Sequence, residues 1–117
     1  NRVWAVFQPF TFSRTALLLD DFVKALSIAD KCIITAIMGS REKNTYNIYD
    51  TDLAGKITGA VWFPDEQDHD KNFELCAEYA ASKAASGDLI ITMGCGDVNK
   101  CAKLILEKLH NKYDTDN

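Results

Sequence analysis

Nothing in these 117 residues approaches the roughly twenty consecutive apolar residues that carry a helix across a bilayer, so no helical membrane span is expected. Positive charge is not in excess: 13 Lys and Arg against 17 Asp and Glu leave a net charge of −4, without the basic stripe that neutralises nucleic-acid phosphates. Neither a membrane nor a nucleic acid is an expected partner. The four cysteines, Cys32, Cys76, Cys95 and Cys101, include no C-x-x-C pair and read as reduced thiols of a cytoplasmic protein. Cys95 and Cys101 lie close enough to suggest metal ligands, but no histidine is near them in sequence, and no structural zinc is expected. His69 and His110 stand among surface-type residues and are given no role. Ser13 has no histidine within sequence reach, so a nucleophilic triad is not supported. The pattern G-x-x-x-x-G-K-S/T is also missing, so the chain brings no P-loop of its own.

What is present is ordinary for a globular protein: 47% hydrophobic and 26% charged residues, enough for one core but not for two. The apolar run Val3-Trp4-Ala5-Val6-Phe7, ended by Gln8-Pro9, reads as a buried strand. Asn1-Arg2 leads straight into it, which reads as a chain cut from something longer. Ser13 is placed to cap a helix in which Leu17, Leu18, Phe22, Ala25 and Leu26 recur at helical spacing. Residues 31–37 form a second apolar run without alternation, as suits a parallel strand covered on both faces. A polar stretch over 40–49 follows, longer than a usual strand-to-helix connection and therefore a candidate functional loop. A short helix over 50–57, a strand over 60–63, a helix over 70–85, a strand over 89–93 and a helix over 98–110 complete the pattern. Residues 1–110 read as one domain, and 111–117 as a polar tail without pattern.

Strands alternating with helices imply right-handed crossovers into a parallel sheet, hence an α/β fold: a small Rossmann-like three-layer sandwich with a mostly parallel sheet. The segments after the four strands, 8–15, 38–49, 64–70 and 94–99, then gather along one sheet edge. Gly94-Cys95-Gly96-Asp97 is the most pointed of them, since a buried strand there delivers the chain to a glycine turn and a helix N-terminus starting at Asp97 or just after it. A dinucleotide is nevertheless disfavoured, because G-x-G-x-x-G would need glycine where Asn99 stands. Arg14 lies in the first turn of its helix, where a cation is unfavourable unless an anion is near. It either grips a carboxylate or phosphate or pairs with a surface acid such as Asp30. Arg41-Glu42-Lys43 offers cation, anion and cation at the second strand's exit, and reads equally as a solvated face.

Taken together, these segments resemble the C-terminal domain of the Mur ligases. Val6-Phe7-Gln8-Pro9 with Phe12-Ser13-Arg14-Thr15 is similar to the family's F-Q-P-H-x-F/Y-S/T-R-T, and Asp20-Asp21-Phe22 continues the match. Arg41-Glu42-Lys43-Asn44-Thr45-Tyr46 is similar to a loop of many Gram-positive members, and Gly87-Asp88-Leu89 through Gly94-Cys95-Gly96-Asp97 resembles G-D-L-I/V-I/L-T-x-G-A-G-D. The resemblance covers nearly the whole chain and lies nearest the branch that joins L-alanine to UDP-N-acetylmuramate in peptidoglycan biosynthesis. It implies a three-domain ATP-dependent ligase whose N-terminal domain holds the UDP-sugar, whose central domain carries the P-loop and magnesium, and whose third domain closes over both, supplying the pocket for the incoming amino acid and completing the ATP site. It further implies that Arg14 holds the alanine carboxylate, with Thr11, Ser13, Thr15, Arg41, Glu42, Gly94, Gly96 and Asp97 as the surrounding substrate-binding set. No catalytic residue and no metal ligand is expected in this chain, which should be inactive alone. Phe10 replaces the family's histidine, Thr11 its next residue (arginine in some members), Ala36-Ile37-Met38 its acid-aliphatic-tyrosine triplet and Cys95 its alanine. A murein peptide ligase, another Mur-family ligase and a free-standing flavodoxin-like binding module are the rival readings.

Overall fold

The computed structural model describes residues 1–64 and 68–114. At its centre lie four strands, β1 (Val3–Phe7), β2 (Lys31–Ile34), β3 (Val61–Trp62) and β4 (Leu89–Met93), all parallel and ordered β3-β2-β1-β4. The expected α/β sandwich is therefore present. Successive side chains of a strand point to opposite faces, and β1 shows it: Trp4 and Val6 enter a core with Phe73, Cys76, Ala80, Cys101 and Ile105, while Ala5 enters another with Leu26, Leu53 and Ile57. The first core is roofed by α4 (His69–Lys83) and α5 (Asn99–Asp114), the second by α2 (Leu19–Leu26) and α3 (Asp50–Ala54). Phe73 is 1% exposed, and truncating such a residue to alanine costs about 3–5 kcal/mol.

The expected strands β1 and β4 are observed at their expected bounds, but β4, expected to be buried, lies at the sheet's edge with none of its five residues buried, and other elements differ for local reasons. The helix expected to be capped by Ser13 starts two residues earlier, as α1 (Phe12–Leu17), capped by Thr11, whose side chain accepts the Arg14 N–H. It breaks at Leu18, whose φ of −107° and ψ of 16° are not helical. The break resets the buried face, so Leu17 and Leu18 are exposed rather than inward, while Phe22 and Leu26 pack on the sheet. β2 stops at Ile34, short of Ile37, because β1 turns away at Pro9, which has no N–H to offer a ladder. Pairing resumes in a single parallel bridge between Phe10 and Met38. Residues expected to fray from Asn111 are helical through Asp114, and Lys112 donates to the Ala81 and Ala84 carbonyls at the end of α4. Residues 115–117 of that expected tail lie outside the described residues.

At the rim where the strands begin, one carboxylate gathers the chain. Asp88 accepts from the Arg2 N–H and guanidinium at 3.0 Å each, from the Trp4 indole N–H at 3.0 Å and from the Ala85 N–H at 2.9 Å. These donors hold its carboxyl far below the usual carboxylate range, the Ala85 and Arg2 N–H groups first.

Candidate functional site

At the opposite rim the strand exits meet around Gln8, Pro9, Phe10 and Thr11. The Gln8 N–H donates to the Met93 carbonyl at 2.9 Å, the Met38 N–H to the Pro9 carbonyl at 2.9 Å and the Thr11 N–H to the Met38 carbonyl at 2.8 Å. The exits of β1, β2 and β4 are thus joined directly. Asn72 of α4, fully buried, joins the exit of β3 to that of β2 by donating to the Phe63 carbonyl and accepting the Ala36 N–H, both at 3.0 Å. The stretch over 64–70 expected at this rim falls partly on residues 65–67, which lie outside the described residues.

Two groups of the expected site residues are brought together. In the first, the Glu42 carboxylate reaches across from the long loop after β2 to the start of α1, accepting the Ser13 N–H at 2.9 Å and the Ser13 hydroxyl. The Ser13 hydroxyl and then its N–H keep the Glu42 carboxyl ionised below its ordinary range, with Arg14 a lesser contributor. Thr11 sits beside them with φ of 63° and ψ of 148°, a backbone conformation that β-branched residues rarely hold. Thr15 is fully buried and its hydroxyl donates to the Thr11 carbonyl at 2.7 Å, so it fixes the Thr11 turn from beneath. Arg14 is exposed, its guanidinium 5.9 Å from the Phe10 ring centre, and Asp30, at the far rim, accepts the Val3 N–H instead of meeting it. Arg41 is exposed as well.

The second group is Gly94, Gly96 and Asp97, and it is organised by Gln8. The Gln8 side-chain amide donates to Asp97 at 2.9 Å. A Cβ on Gly94 would stand 3.1 Å from Gln8 atoms, and one on Gly96 2.7 Å from Gln8 Oε1 and 3.0 Å from Met38 Cγ. The two glycines admit a buried glutamine under the turn. Gln8 Oε1 has no hydrogen-bond partner among the described residues. Burial works against ionisation of Asp97, but the Gln8 amide, the turn's backbone and Lys100 at 3.5 Å together hold its carboxyl below the usual range.

Between α1 and the loop after β2 opens a cleft of about 500 Å³, lined by Phe12, Met38, Glu42, Asn44, Asp50 and His69 among others. Residue-by-residue reading missed Gln8 and Asn72 as organisers of the rim, and left His69, which borders the cleft, without a role. A glutamine at a strand end and an asparagine on the apolar face of a helix are the signals that were there to find. Cys32, Cys76 and Cys101 are buried and Cys95 exposed at the tip of the glycine turn, and all four are free. Burial pushes the Cys32 and Cys101 thiols up to about 11, well away from reactive thiolates.

No protein-family model matches the chain. It is 45% identical over 108 residues to the UDP-N-acetylmuramate–L-alanine ligase of Caldicellulosiruptor saccharolyticus, covering 92% of this chain and 23% of that enzyme. The enzyme of the same name from Acetivibrio thermocellus is 46% identical over 110 residues (91% and 22%), and that from Lachnospira eligens 43% over 107 residues (92% and 23%). The chain spans about a quarter of the length of these curated relatives and matches their C-terminal part. Sequence and fold together identify the chain as a relative of the C-terminal portion of the Mur ligases, and of the UDP-N-acetylmuramate–L-alanine ligases among them.

Proposed function

We propose that the chain is the substrate-closing domain of an ATP-dependent ligase that joins L-alanine to UDP-N-acetylmuramate in the cytoplasm, working with N-terminal and central domains of the same polypeptide. The observation that carries this reading is the 45% identity, over 92% of the chain, to an enzyme bearing that name. The rim geometry supports it, since the Phe12-Ser13-Arg14-Thr15 segment begins at Phe12 on the wall of the cleft and is tied at Ser13 to Glu42 of the same wall. ATP and magnesium are bound mainly by the rest of the polypeptide, since the sequence has no P-loop, and this chain completes the ATP site.

The chief role of this chain is to seat the amino acid. Amide formation needs the lone pair of a free amine on an activated carboxyl carbon, with the amine's proton lost and the activating group leaving. Arg14 presents a planar fork suited to a carboxylate, on an exposed side chain steadied by the Phe10 ring. Holding the amino acid by its carboxylate turns its amine toward the other domains. Glu42 keeps the start of α1 in place, and the Gln8–Asp97 pair fixes the last turn along the same rim. Arg14→Ala in the full-length polypeptide is expected to raise KM for alanine about tenfold or more, the worth of a charge-assisted hydrogen bond, with a smaller change in kcat. Steady-state kinetics showing an unaltered alanine dependence would remove Arg14 from the site. The 117-residue chain by itself is expected to turn over no ATP with any amino acid, and measurable turnover would overturn the closing-domain role.

A further inference from the structure

The loop after β2 meets α1 at two points. The Glu42 N–H donates to the Gly39 carbonyl at 3.1 Å, closing a tight turn whose central residues are Ser40, with φ of 58°, and Arg41. The Phe12 ring packs on the first residue of this turn, Gly39, leaving no room for a Cβ there, and Ser13 holds the last through the Glu42 carboxylate. Both ends of the turn therefore rest on the start of α1, and Arg41 is carried between them beside Arg14, the residue after Ser13. Both arginines are exposed, and neither guanidinium forms a hydrogen bond or an ion pair among the described residues; the Phe10 ring, 5.9 Å from that of Arg14, is the one group that steadies either. An acid lies between them in the chain's fold, yet Glu42 turns Oε1 to the Ser13 N–H and Oε2 to the Ser13 hydroxyl. Exposed arginines are ordinarily solvated. Here, with Lys43 following, they form a positive rim on anchored backbone around a carboxylate that is already taken, and such a rim favours a second anion.

We propose that Arg41 is the second guanidinium of the amino-acid seat, closing on the substrate's α-carboxylate from the side opposite Arg14, and that Glu42 is a positioning residue that sets both guanidiniums without touching the substrate. This rests on the reading of Arg14 as the first grip on that carboxylate. A carboxylate offers two oxygens and about four lone-pair directions, so two planar forks can embrace it from different sides. Two guanidiniums repel each other unless an anion lies between them, so the seat discriminates against any amine that lacks the carboxylate. Arginine has donors and no acceptor, so neither grip binds the substrate's amine, which stays free to react. The carboxylate that could trap that amine as an ammonium ion, Glu42, is held by Ser13 instead.

Steady-state kinetics of the full-length polypeptide with L-alanine and with L-alaninamide, which keeps the amine and the methyl group without the carboxylate, test this. The amide is used as a substrate, or as a competitor of alanine where its turnover is slow. In Arg41→Ala the preference for alanine over alaninamide is expected to fall about tenfold or more, through KM for alanine, with KM for ATP unchanged. A loss shared equally by the two amines would leave Arg41 a structural part of the rim, and an unchanged preference would remove it from the seat; either overturns the proposal. Glu42→Ala deletes a charge of the same sign as the ligand's, so KM for alanine falls if Glu42 merely repels the carboxylate. As a positioning residue its loss raises that KM severalfold, and a KM that falls or stays overturns this role. Arg41 and Glu42 are exposed and lie outside the strands and helices, so both variants keep the fold. The unsubstituted polypeptide separates the two claims. Absence of amino-acid-dependent ATP turnover there defeats the ligase reading, whereas turnover with an alanine preference indifferent to Arg41→Ala defeats the paired grip alone.

Discussion

Where the strands begin, Asp88 accepts four hydrogen bonds from Arg2, Trp4 and Ala85, and Asp30 accepts the Val3 N–H. Where they end, Thr11 holds a positive φ, Gln8 Oε1 has no hydrogen-bond partner among the described residues, Arg14 and Arg41 are exposed, and a cleft of about 500 Å³ is open. The two rims share the same strands and treat polar groups in opposite ways. The first spends its polar groups on closing the chain on itself. The second keeps strain and unspent polar capacity, which persist only where the surrounding structure over-determines them and which gather at functional sites. Stability and function are therefore separable along the strand axis, and substitutions at either end should report on one far more than on the other.

The largest expected effect on stability is that of Asp88→Asn. Three of the four donors converge on one carboxylate oxygen and the fourth on the other, so the amide NH2 must face a donor whichever way it is turned. Urea unfolding should show a greater loss for this variant than for any single substitution at the other rim, and a smaller one would break the comparison. Its acid dependence should change too. A carboxyl depressed in the folded chain contributes stability that is complete above its unfolded value, about 3.9, and is lost as pH falls below that. Asp88→Asn should therefore flatten the decline of stability below about pH 4.

Gly96→Ala should have a smaller effect, of about 1–3 kcal/mol, from overpacking. Its Cβ meets Gln8 Oε1 at 2.7 Å, and Gln8 has no room to yield because it is fully buried and tied to Asp97. Displacing the amide should also let the Asp97 carboxyl rise toward its ordinary range, which NMR titration would register. An unchanged stability would mean that the turn is not packed on Gln8.

The sheet was legible because parallel strands are short continuous apolar runs, and β1 and β4 follow theirs residue for residue, although β4 at the sheet's edge is not buried. The broken helix was not, since Leu17 and Leu18 fit a single helical stripe and only tertiary packing discards them. The same limit applies at the rim. Gly94 and Gly96 stand out in sequence, but their cause is Gln8, eighty-six and eighty-eight positions earlier, and local spacing carries no trace of a contact that distant. Arg14 and Glu42 were legible as charged residues on strand exits, whereas the pairing of Glu42 with Ser13 depends on how the long loop after β2 folds back.

Thr11→Gly makes the finest test, because it should act with the opposite sign. A β-branched residue at φ 63° and ψ 148° costs about 1–3 kcal/mol, in a region that glycine enters freely. Against this gain stand the loss of the Thr11 cap, worth only a few tenths of a kcal/mol when glycine replaces it, and about 0.5–1 kcal/mol for the greater freedom of the unfolded chain. The net expectation is a gain of about 1 kcal/mol in urea unfolding, from a substitution that removes side-chain contacts. A loss would show that the Thr11 conformation is unstrained and that the two rims differ less than their hydrogen bonding suggests. If the gain is found together with a raised KM for alanine in the full-length polypeptide, the strain is tied to function. The threonine then holds the start of α1, and with it Arg14, in a position that the more stable glycine chain no longer enforces.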